Sequence, residues 1–188
     1  MPFEFIPTRI PEVLRVVPQV FGDERGFFME TWHKDAFCSA GIDVEFFQDC
    51  HSRSTRGTLR GLHYQYRHPQ GKLVRVLTGA VFDVAVDVRT SSPTFGHWVG
   101  HVLCDETRNE MWIPVGFAHG FYVLSEVADV AYKCTDRYDP EHEVSLRWDA
   151  AEVGVEWPLI DGESPILSSR DAAGLAWCEI PPIEGHAG

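Results

Sequence analysis

The chain has 188 residues, the length of a single domain, and 44% of them are hydrophobic, as is usual for a globular protein. Sixteen basic residues stand against 28 acidic ones, so the net charge is −12. This charge disfavours nonspecific binding to nucleic acid but does not exclude a small phosphorylated ligand. No apolar run of roughly 18 residues occurs, so no membrane-spanning helix is predicted.

The first residues, Met-Pro-Phe-Glu-Phe-Ile-Pro, lack the basic and apolar stretches of a secretory signal. The five cysteines are odd in number and widely spaced, and no two form a Cys-x-x-Cys pair. This pattern argues against a disulfide framework and against a structural zinc site. We therefore expect reduced thiols and a cytoplasmic location.

Helix signals are scarce and fall at two places. Residues 33–40 present a spaced apolar face and are followed by Gly41, a common helix stop. A second helix is predicted to begin near Ser168 and to run past Asp171. The spacing Ser168-x-x-Asp171 fits a capping box, so Asp171 could cap this helix or orient a histidine.

Between Phe46 and Trp148 the sequence is typical of short strands separated by turn residues. Strict alternation of large apolar side chains with polar or small ones is clearest in 81–89. Asp83 and Asp87 share one face of this predicted strand, and that face could point inward. For Asp87 a solvated strand end is the favoured interpretation. The other predicted strands are 72–77, 97–104, 111–114, 121–124 and 128–135.

Many short strands without intervening helices predict an antiparallel sandwich or barrel rather than a βαβ fold. Neither a Gly-x-Gly-x-x-Gly motif nor a Walker-type loop is present, which disfavours a nicotinamide or ATP enzyme of the usual architecture. The last residues, 180–188, are predicted to form a loose tail.

Polar residues cluster around His63. His63 and Gln65 face the same way on a strand, but further metal ligands are not evident, so a metal site is the weaker interpretation. Taken alone, a strand histidine is most often a hydrogen-bonded core residue, whereas Arg60 and Lys72 nearby favour a polar cavity for acid–base chemistry. Alternation puts Arg60 and His63 on opposite faces, so a bulge at Gly61, or a strand that starts there, is needed to bring both into one site.

A second polar run, 132–138, contains Tyr132 and Tyr138. Packing of both rings and a role for their hydroxyl groups are equally compatible with the sequence.

A recognisable series of segments extends along nearly the whole chain: 21–30, 47–52, 57–65, 70–75, 81–89, 92–96, 113–121, 132–138, Glu143 and 167–171. In order and spacing, this series resembles the nucleotide-sugar 3,5-epimerases of the dTDP-L-rhamnose pathway, a branch of the cupin superfamily. The resemblance implies an all-β antiparallel jelly roll with a few short helices. The single domain, 1–188, would comprise an N-terminal arm (about 1–45), a jelly-roll core (about 46–150) and a C-terminal segment (about 151–188).

The resemblance also implies a reaction. The substrate would be dTDP-4-dehydro-6-deoxy-D-xylo-hexulose and the product dTDP-4-dehydro-β-L-rhamnose, with no cofactor and no metal. His63 would be the general base, with Asp171 as its partner. Tyr132 would be the acid on the opposite face of the sugar, and Lys72 would stabilise the enolate oxygen.

The resemblance further implies a set of substrate-binding residues: Arg25, Glu30, Gln48, Asp49, Cys50, Arg60, His119, Tyr138, Glu143 and Arg170. The family is usually dimeric, with the N-terminal segment reaching the neighbouring subunit, so Arg25 and Glu30 are expected to serve the partner's site. Two positions depart from the family pattern. Cys50 replaces a usual Asn and is a weaker hydrogen-bond donor, and Arg170 replaces a common Lys.

The chemistry suits these residue types. C3 and C5 of the substrate flank the C4 ketone, so removing a proton from either carbon gives an enolate without a redox cofactor. Inversion requires a base on one face and an acid on the other. Imidazole, with an ordinary pKa of about 6.5, and a neutral phenol fit these two tasks. Alternatives are a single-centre epimerase or ketoisomerase on a related sugar, a metal-dependent cupin oxygenase, and a non-catalytic sugar-nucleotide binding module.

Overall fold

The computed structural model describes residues 2–183 and consists mainly of β-strands. In chain order the elements are β1 (Phe3–Pro7), β2 (Leu14–Pro18), β3 (Val20–Asp23), β4 (Gly26–Met29), α1 (Lys34–Ser39), β5 (Gln48–Thr55), β6 (Leu59–Gln65), β7 (Lys72–Thr78), β8 (Ala80–Asp87), β9 (Trp98–Cys104), β10 (Glu110–Ile113), β11 (Phe117–Val123), β12 (Val127–Cys134), β13 (Glu143–Ser145) and α2 (Ser169–Ala172). Two 3₁₀ turns, Ile160–Gly162 and Trp177–Glu179, complete the set. No helix in residues 2–183 has the length and apolar character needed to cross a bilayer.

Two antiparallel sheets form a sandwich. The larger sheet has the order β1-β2-β10-β7-β12-β5, and the smaller has the order β13-β6-β11-β8-β9. The predicted all-β antiparallel class is therefore confirmed. Strands β3 and β4 pair only with each other among the described residues and form a separate hairpin.

The interior between the sheets is divided into two parts. One part is a dry core of aliphatic and aromatic side chains, among them Val74, Leu103, Met111 and Phe121, all at most 3% exposed. The other part is an open cavity. Tyr132 packs against the edge of the dry core and so stands at the boundary between them.

The N-terminal residues contribute more strands than the sequence indicated. Strands β1 and β2 lie within the segment expected to be an arm, yet they extend the larger sheet through pairing of β2 with β10. Helix α1 packs on the outer face of this sheet through Phe37, which is wholly buried against Leu73 and Trp112.

Two predicted elements need correction. The strand predicted at 121–124 begins at Phe117, because Ala118, His119 and Gly120 already pair with β8. Asp87 is not a solvated strand end, since its side chain is completely buried. The loop after β8 folds back, and the side chains of three of its residues donate to the Asp87 carboxylate: Arg89 through Nε at 2.9 Å and Nη2 at 2.7 Å, Ser92 through Oγ at 2.6 Å and Thr94 through Oγ1 at 2.6 Å.

The C-terminal segment is also better packed than predicted as far as residue 183. Tyr64 donates its hydroxyl proton to the carbonyl of Pro181 at 2.6 Å, and Ile180 and Ile183 contact a second apolar cluster outside the smaller sheet. The rest of the predicted loose tail, 184–188, lies outside the described residues.

Candidate active site

An irregularity in β6 brings two functional side chains to one side of the strand. The pairing of β6 with β11 shifts register between the His63–His119 pair and the Arg60–Phe121 pair. Gly61 lies in this irregularity at φ +135°, and a Cβ atom there would come within 2.5 Å of Gly120 Cα. The predicted bulge is confirmed, and only glycine tolerates this close approach.

The main cavity has a volume of about 360 Å³ and lies between the two sheets. The smaller sheet contributes His63 and His119 to its wall, and the larger sheet contributes Lys72 and Tyr132. Of the fourteen residues predicted to act in the site, eleven line this cavity: His63, Lys72, Tyr132, Asp171, Gln48, Cys50, Arg60, His119, Tyr138, Glu143 and Arg170.

His63 and Asp171 form a dyad. Nε2 of His63 lies 2.5 Å from Oδ1 of Asp171, and the carboxylate is only 4% exposed. Burial acts to raise the pKa of Asp171, but hydrogen bonds from His63 and Ser168 outweigh it and hold that pKa below its usual value. Asp171 is therefore a carboxylate able to orient the imidazole and to stabilise its protonated form.

Ser168 is the residue that caps α2, and of its two possible roles Asp171 has that of orienting the histidine. Its backbone N–H donates to Ser168 Oγ at 3.1 Å, which caps α2, and the Ser168 hydroxyl donates to Oδ2 at 2.8 Å. The capping contacts leave Oδ1 facing His63, so the start of α2 positions the dyad.

Tyr132 enters the cavity from the sheet that faces His63. It lies on β12 directly opposite Cys50 of β5, with Cys134 two residues further along on the same face. Burial raises the pKa of Tyr132, and the neighbouring Cys50 and Cys134 thiols raise it further. Tyr132 is therefore a neutral phenol with a proton to donate at physiological pH.

Lys72 begins β7, next to the strand that carries Tyr132. Burial lowers the pKa of its ammonium, although the carboxylates of Glu143 and Asp83 act in the opposite direction. The ammonium of Lys72 forms no ion pair or hydrogen bond with another described residue, so its charge is available to a negative atom in the cavity.

His119 is buried beside Lys72 and held by an aspartate. Its Nε2 lies 2.8 Å from Oδ1 of Asp83, which is completely buried. Burial lowers the pKa of His119, and the charges of Lys72 and His63 add to that effect against the pull of Asp83. A neutral imidazole with Nε2 protonated leaves Nδ1 as a possible acceptor toward the cavity.

The mouth of the cavity holds a hydrogen-bonded cluster. The Tyr138 hydroxyl donates to Glu143 at 2.7 Å, Arg170 forms an ion pair with Glu143, and Arg170 Nη1 donates to the Tyr138 oxygen at 3.2 Å. Gln48 accepts a hydrogen bond from the Tyr138 backbone N–H at 2.8 Å and donates to Cys50 Sγ at 3.1 Å. The two departures from the family pattern, Cys50 and Arg170, thus both lie within the site.

Three predicted residues lie elsewhere. Asp49 does not line the main cavity. It alternates with Gln48 and Cys50 and therefore points to the outer face of the sheet, where it pairs with Lys133 at 3.0 Å. Arg25 lies on the exposed β3–β4 hairpin and pairs with Asp23 at 2.5 Å. Glu30 follows that hairpin and does not line the main cavity of its own protomer.

Sequence reasoning missed other lining residues. Gln70, Cys134 and Ser168 line the cavity, and Gln70 is held there by its amide hydrogen bond to the Asp136 carbonyl at 2.8 Å. Cys134 could have been found because it is two residues from Tyr132 on one strand. No sequence signal identifies Gln70, which lies in a loop. Within residues 2–183, no three His, Cys, Asp or Glu side chains are arranged to hold a metal ion.

Comparisons with known proteins agree with this geometry. A family model described as dTDP-4-dehydrorhamnose 3,5-epimerase matches residues 7–179. A relative of that name from Pseudomonas aeruginosa is 56% identical over 171 residues, 90% of this chain and 93% of the relative.

Solved structures are similar over most of the chain. The crystal structure of dTDP-6-deoxy-D-glucose-3,5-epimerase from Legionella pneumophila, in complex with dTDP-4-keto-L-rhamnose, has a TM-score of 0.92 at 51% identity and 95% coverage of both chains. A 3'-monoepimerase from Streptomyces bikiniensis, in complex with dTDP-quinovose, has a TM-score of 0.83 at 33% identity, covering 90% of this chain and 86% of the other.

Proposed function

The chain belongs to the dTDP-4-dehydrorhamnose 3,5-epimerase family and is a carbohydrate epimerase, and we propose that it converts dTDP-4-dehydro-6-deoxy-D-xylo-hexulose to dTDP-4-dehydro-β-L-rhamnose. The observation that carries the proposal is the pair His63 and Tyr132 on facing walls of one cavity. Inversion beside a ketone needs this arrangement, with a base on one side of the sugar ring and an acid on the other.

His63 removes the proton from the carbon next to the ketone. The bond electrons move into the ring and form an enolate, while the proton stays on the imidazole. The Asp171 carboxylate at 2.5 Å stabilises the resulting imidazolium and fixes the orientation of the ring. The same step applies at C5 and at C3, since both carbons flank the C4 carbonyl.

Tyr132 completes each inversion by donating its proton to the opposite face. The enolate collapses to the ketone with the new C–H bond on the side of the phenol. After each inversion the imidazolium releases its proton to solvent and the phenolate takes one up, which restores the pair for the other carbon. Lys72 lies beside Tyr132 and supplies a positive charge to the enolate oxygen. Losing one such preorganised group costs roughly 3–4 kcal/mol of barrier in comparable sites.

The nucleotide is held at the mouth of the cavity. Arg60 and Arg170 offer guanidinium forks to the diphosphate, and Tyr138 offers a ring and a hydroxyl group to the sugar or base. Gln48, Cys50, His119 and Glu143 complete the polar wall around the sugar. Arg25 and Glu30 act in the site of a second protomer, so the enzyme works as a homodimer.

A single-centre epimerase is the second candidate. The 33% identity to a 3'-monoepimerase over 90% of this chain supports it, because both reactions use the same enolate chemistry. Residues that line the cavity but do not transfer protons would then decide which carbon is inverted.

Product analysis tests the proposal. The purified protein is incubated with the dTDP-4-keto-6-deoxy sugar, the product is reduced, and the configuration at C3 and C5 is assigned by NMR. Inversion at both carbons is expected. Inversion at one carbon alone would replace the proposal with the second candidate, and an unchanged sugar would overturn both. The three-part division of the domain and a cytoplasmic location stay predictions.

A further inference from the structure

A row of polar side chains runs from the main cavity through the interior to the opposite edge of the sandwich. His119 on β11 contacts Asp83 on β8 through Oδ1 at 2.8 Å. On the other side, Asp83 is the direct cross-strand partner of His101 on β9. Since directly paired residues point to the same face of a sheet, His101 lies beside Asp83 in the interior.

Two buried atoms in this row have no hydrogen-bond partner among the described residues. One is Oδ2 of Asp83, a residue that is completely buried, and the other is Nε of Arg15, which lies on β2 of the facing sheet. A buried carboxylate oxygen that is left unpaired destabilises the fold, so a partner is expected.

His101 connects the three groups, because it is the cross-strand partner of Asp83 and lines a cavity together with Arg15. Burial lowers the pKa of His101, the charge of Arg15 lowers it further, and Asp83 raises it. His101 and Arg15 also line a second cavity of about 420 Å³ at the open edge between β2 and β9, which we call the edge cavity. Water in this cavity therefore reaches Arg15 and His101, the two of these residues that line it.

We propose that one buried water joins Asp83 Oδ2 to Arg15 Nε and to a ring nitrogen of His101, and that Arg15 and His101 thereby act as positioning residues for His119. A buried water typically makes about three hydrogen bonds, which is the number offered here. The water satisfies both unpaired atoms and fixes the Asp83 carboxylate from the side opposite His119.

The consequence for the main cavity concerns the His119 tautomer. A carboxylate held at both oxygens keeps the proton of His119 on Nε2 and presents Nδ1 as an acceptor. If the proposed function holds, this acceptor receives a hydroxyl group of the sugar. The positioning itself does not depend on the substrate and is measurable in the free protein.

NMR titration of the histidine rings tests the positioning in the resting protein. Without its His101 partner the water is held less firmly at Oδ2, and more of the charge of Asp83 acts on its bond to His119. The pKa of His119 is therefore expected to rise by about half to one unit in His101→Phe, the equivalent of one hydrogen bond. Lys72 and His63, which also influence His119, are unchanged in this variant.

Matched variants separate this effect on the pKa of His119 from a nonspecific structural change caused by the substitution. Arg15→Met is expected to raise the pKa of His119 as His101→Phe does. His101→Gln keeps a hydrogen-bond donor and is expected to leave the pKa of His119 near its wild-type value. His97→Phe and Arg9→Met change a nearby exposed histidine and the other arginine of the edge cavity, and both are expected to leave His119 unchanged.

An unshifted His119 in folded His101→Phe and Arg15→Met would overturn the proposal, as would an equal shift in the two controls. A crystal structure provides an independent readout if either variant fails to fold. It is expected to show a water within hydrogen-bond distance of Asp83 Oδ2, Arg15 Nε and His101. A structure in which Oδ2 contacts neither a water nor these side chains would contradict the proposal.

Discussion

Burial sets the charge states in the main cavity, and Lys72 is the residue whose function depends on it most directly. Its lowered pKa means that the ammonium loses its proton below the ordinary lysine value of 10.5. Burial moves Tyr132 in the opposite direction, so the phenol keeps its proton at higher pH than an exposed tyrosine. Of these two groups, Lys72 is thus the first to lose its active form as pH rises.

We expect kcat to fall on the alkaline side at a pH below 10.5, because the deprotonated amine no longer stabilises the enolate. Lys72→Arg, which stays charged throughout, should be less active at neutral pH but should lose the alkaline decline in that range. Steady-state kinetics from about pH 7 to 10.5 give both curves. A decline at the same pH in the arginine variant would assign it to another group.

Glu110 shows the cost of a buried carboxyl group outside the main cavity. Its side chain in β10 is completely buried, and neither oxygen has a hydrogen-bond partner among the described residues. Burial raises its pKa from 4.5 to about 8. Between these values the unfolded chain has lost the proton that the folded chain keeps, so this residue lowers stability as pH rises.

Glu110→Gln removes this titration. The variant is expected to gain more in Tm at about pH 8.5 than at about pH 4.5, since each unit of displaced pKa corresponds to roughly 1.4 kcal/mol. Glu106→Gln, at an exposed position in the preceding turn, should show no such difference. Thermal unfolding of the wild type and both variants at the two pH values gives these changes in Tm. A gain in the Tm of Glu110→Gln that does not depend on pH would contradict the account.

At the level of the elements, the bulge in β6 is what aligns the site. Gly61 allows β6 and β11 to approach, and the register shift turns Arg60 and His63 to the same cavity. Gly61→Ala is expected to lose about 2–4 kcal/mol of stability, because the added methyl group meets backbone atoms and the φ angle is unfavourable.

Gly22→Ala is the matched control, since the nearest atom to its Cβ would be at an ordinary 3.7 Å. Chemical denaturation of the two variants gives the comparison. An alanine at position 61 that is as stable as the control, with unchanged activity, would show that the bulge is not required.

The sequence predicted this bulge because two polar residues on opposite faces had to serve one site. It also predicted both helices and most strands of the core to within a few residues. It did not predict the start of β11, whose seven residues are all buried and so show no alternation. Nor could it show that the loop after β8 buries Asp87, because that depends on how residues 88–97 fold back.

The four proposed catalytic residues all line the main cavity, whereas three of the ten proposed binding residues do not. His63, Lys72, Tyr132 and Asp171 were identified through resemblance and meet in the main cavity. Asp49 was included with its neighbours because a continuous motif does not show which of its residues face inward. Gln70 was missed because a loop residue carries no periodicity.

At the level of the whole molecule, the β3–β4 hairpin presents aromatic rings to solvent. Phe21, Phe27 and Phe28 are 54%, 55% and 66% exposed, and Arg25 lies between them in the chain. An exposed aromatic cluster of this kind is typical of a surface that contacts a protein. This supports the proposal that the hairpin reaches the site of a second protomer.

Mixing two variants tests that proposal. Arg25→Ala lacks the residue that serves the partner, and His63→Asn lacks the base of its own site. A mixed dimer contains one site with neither defect, so refolding the two variants together is expected to recover up to about a quarter of wild-type activity if pairing is random. No recovery in a confirmed mixed dimer would show that Arg25 does not act across the interface.

The central claim is that His63 and Tyr132 transfer protons on opposite faces of one sugar, and deuterium uptake from D₂O tests it most directly. Tyr132→Phe is expected to exchange hydrogen at the carbons beside the ketone without inverting them, because His63 removes and returns the proton on one face. His63→Asn is expected to lose both exchange and inversion. Exchange that persists unchanged in His63→Asn, or inversion that persists in Tyr132→Phe, would contradict the account.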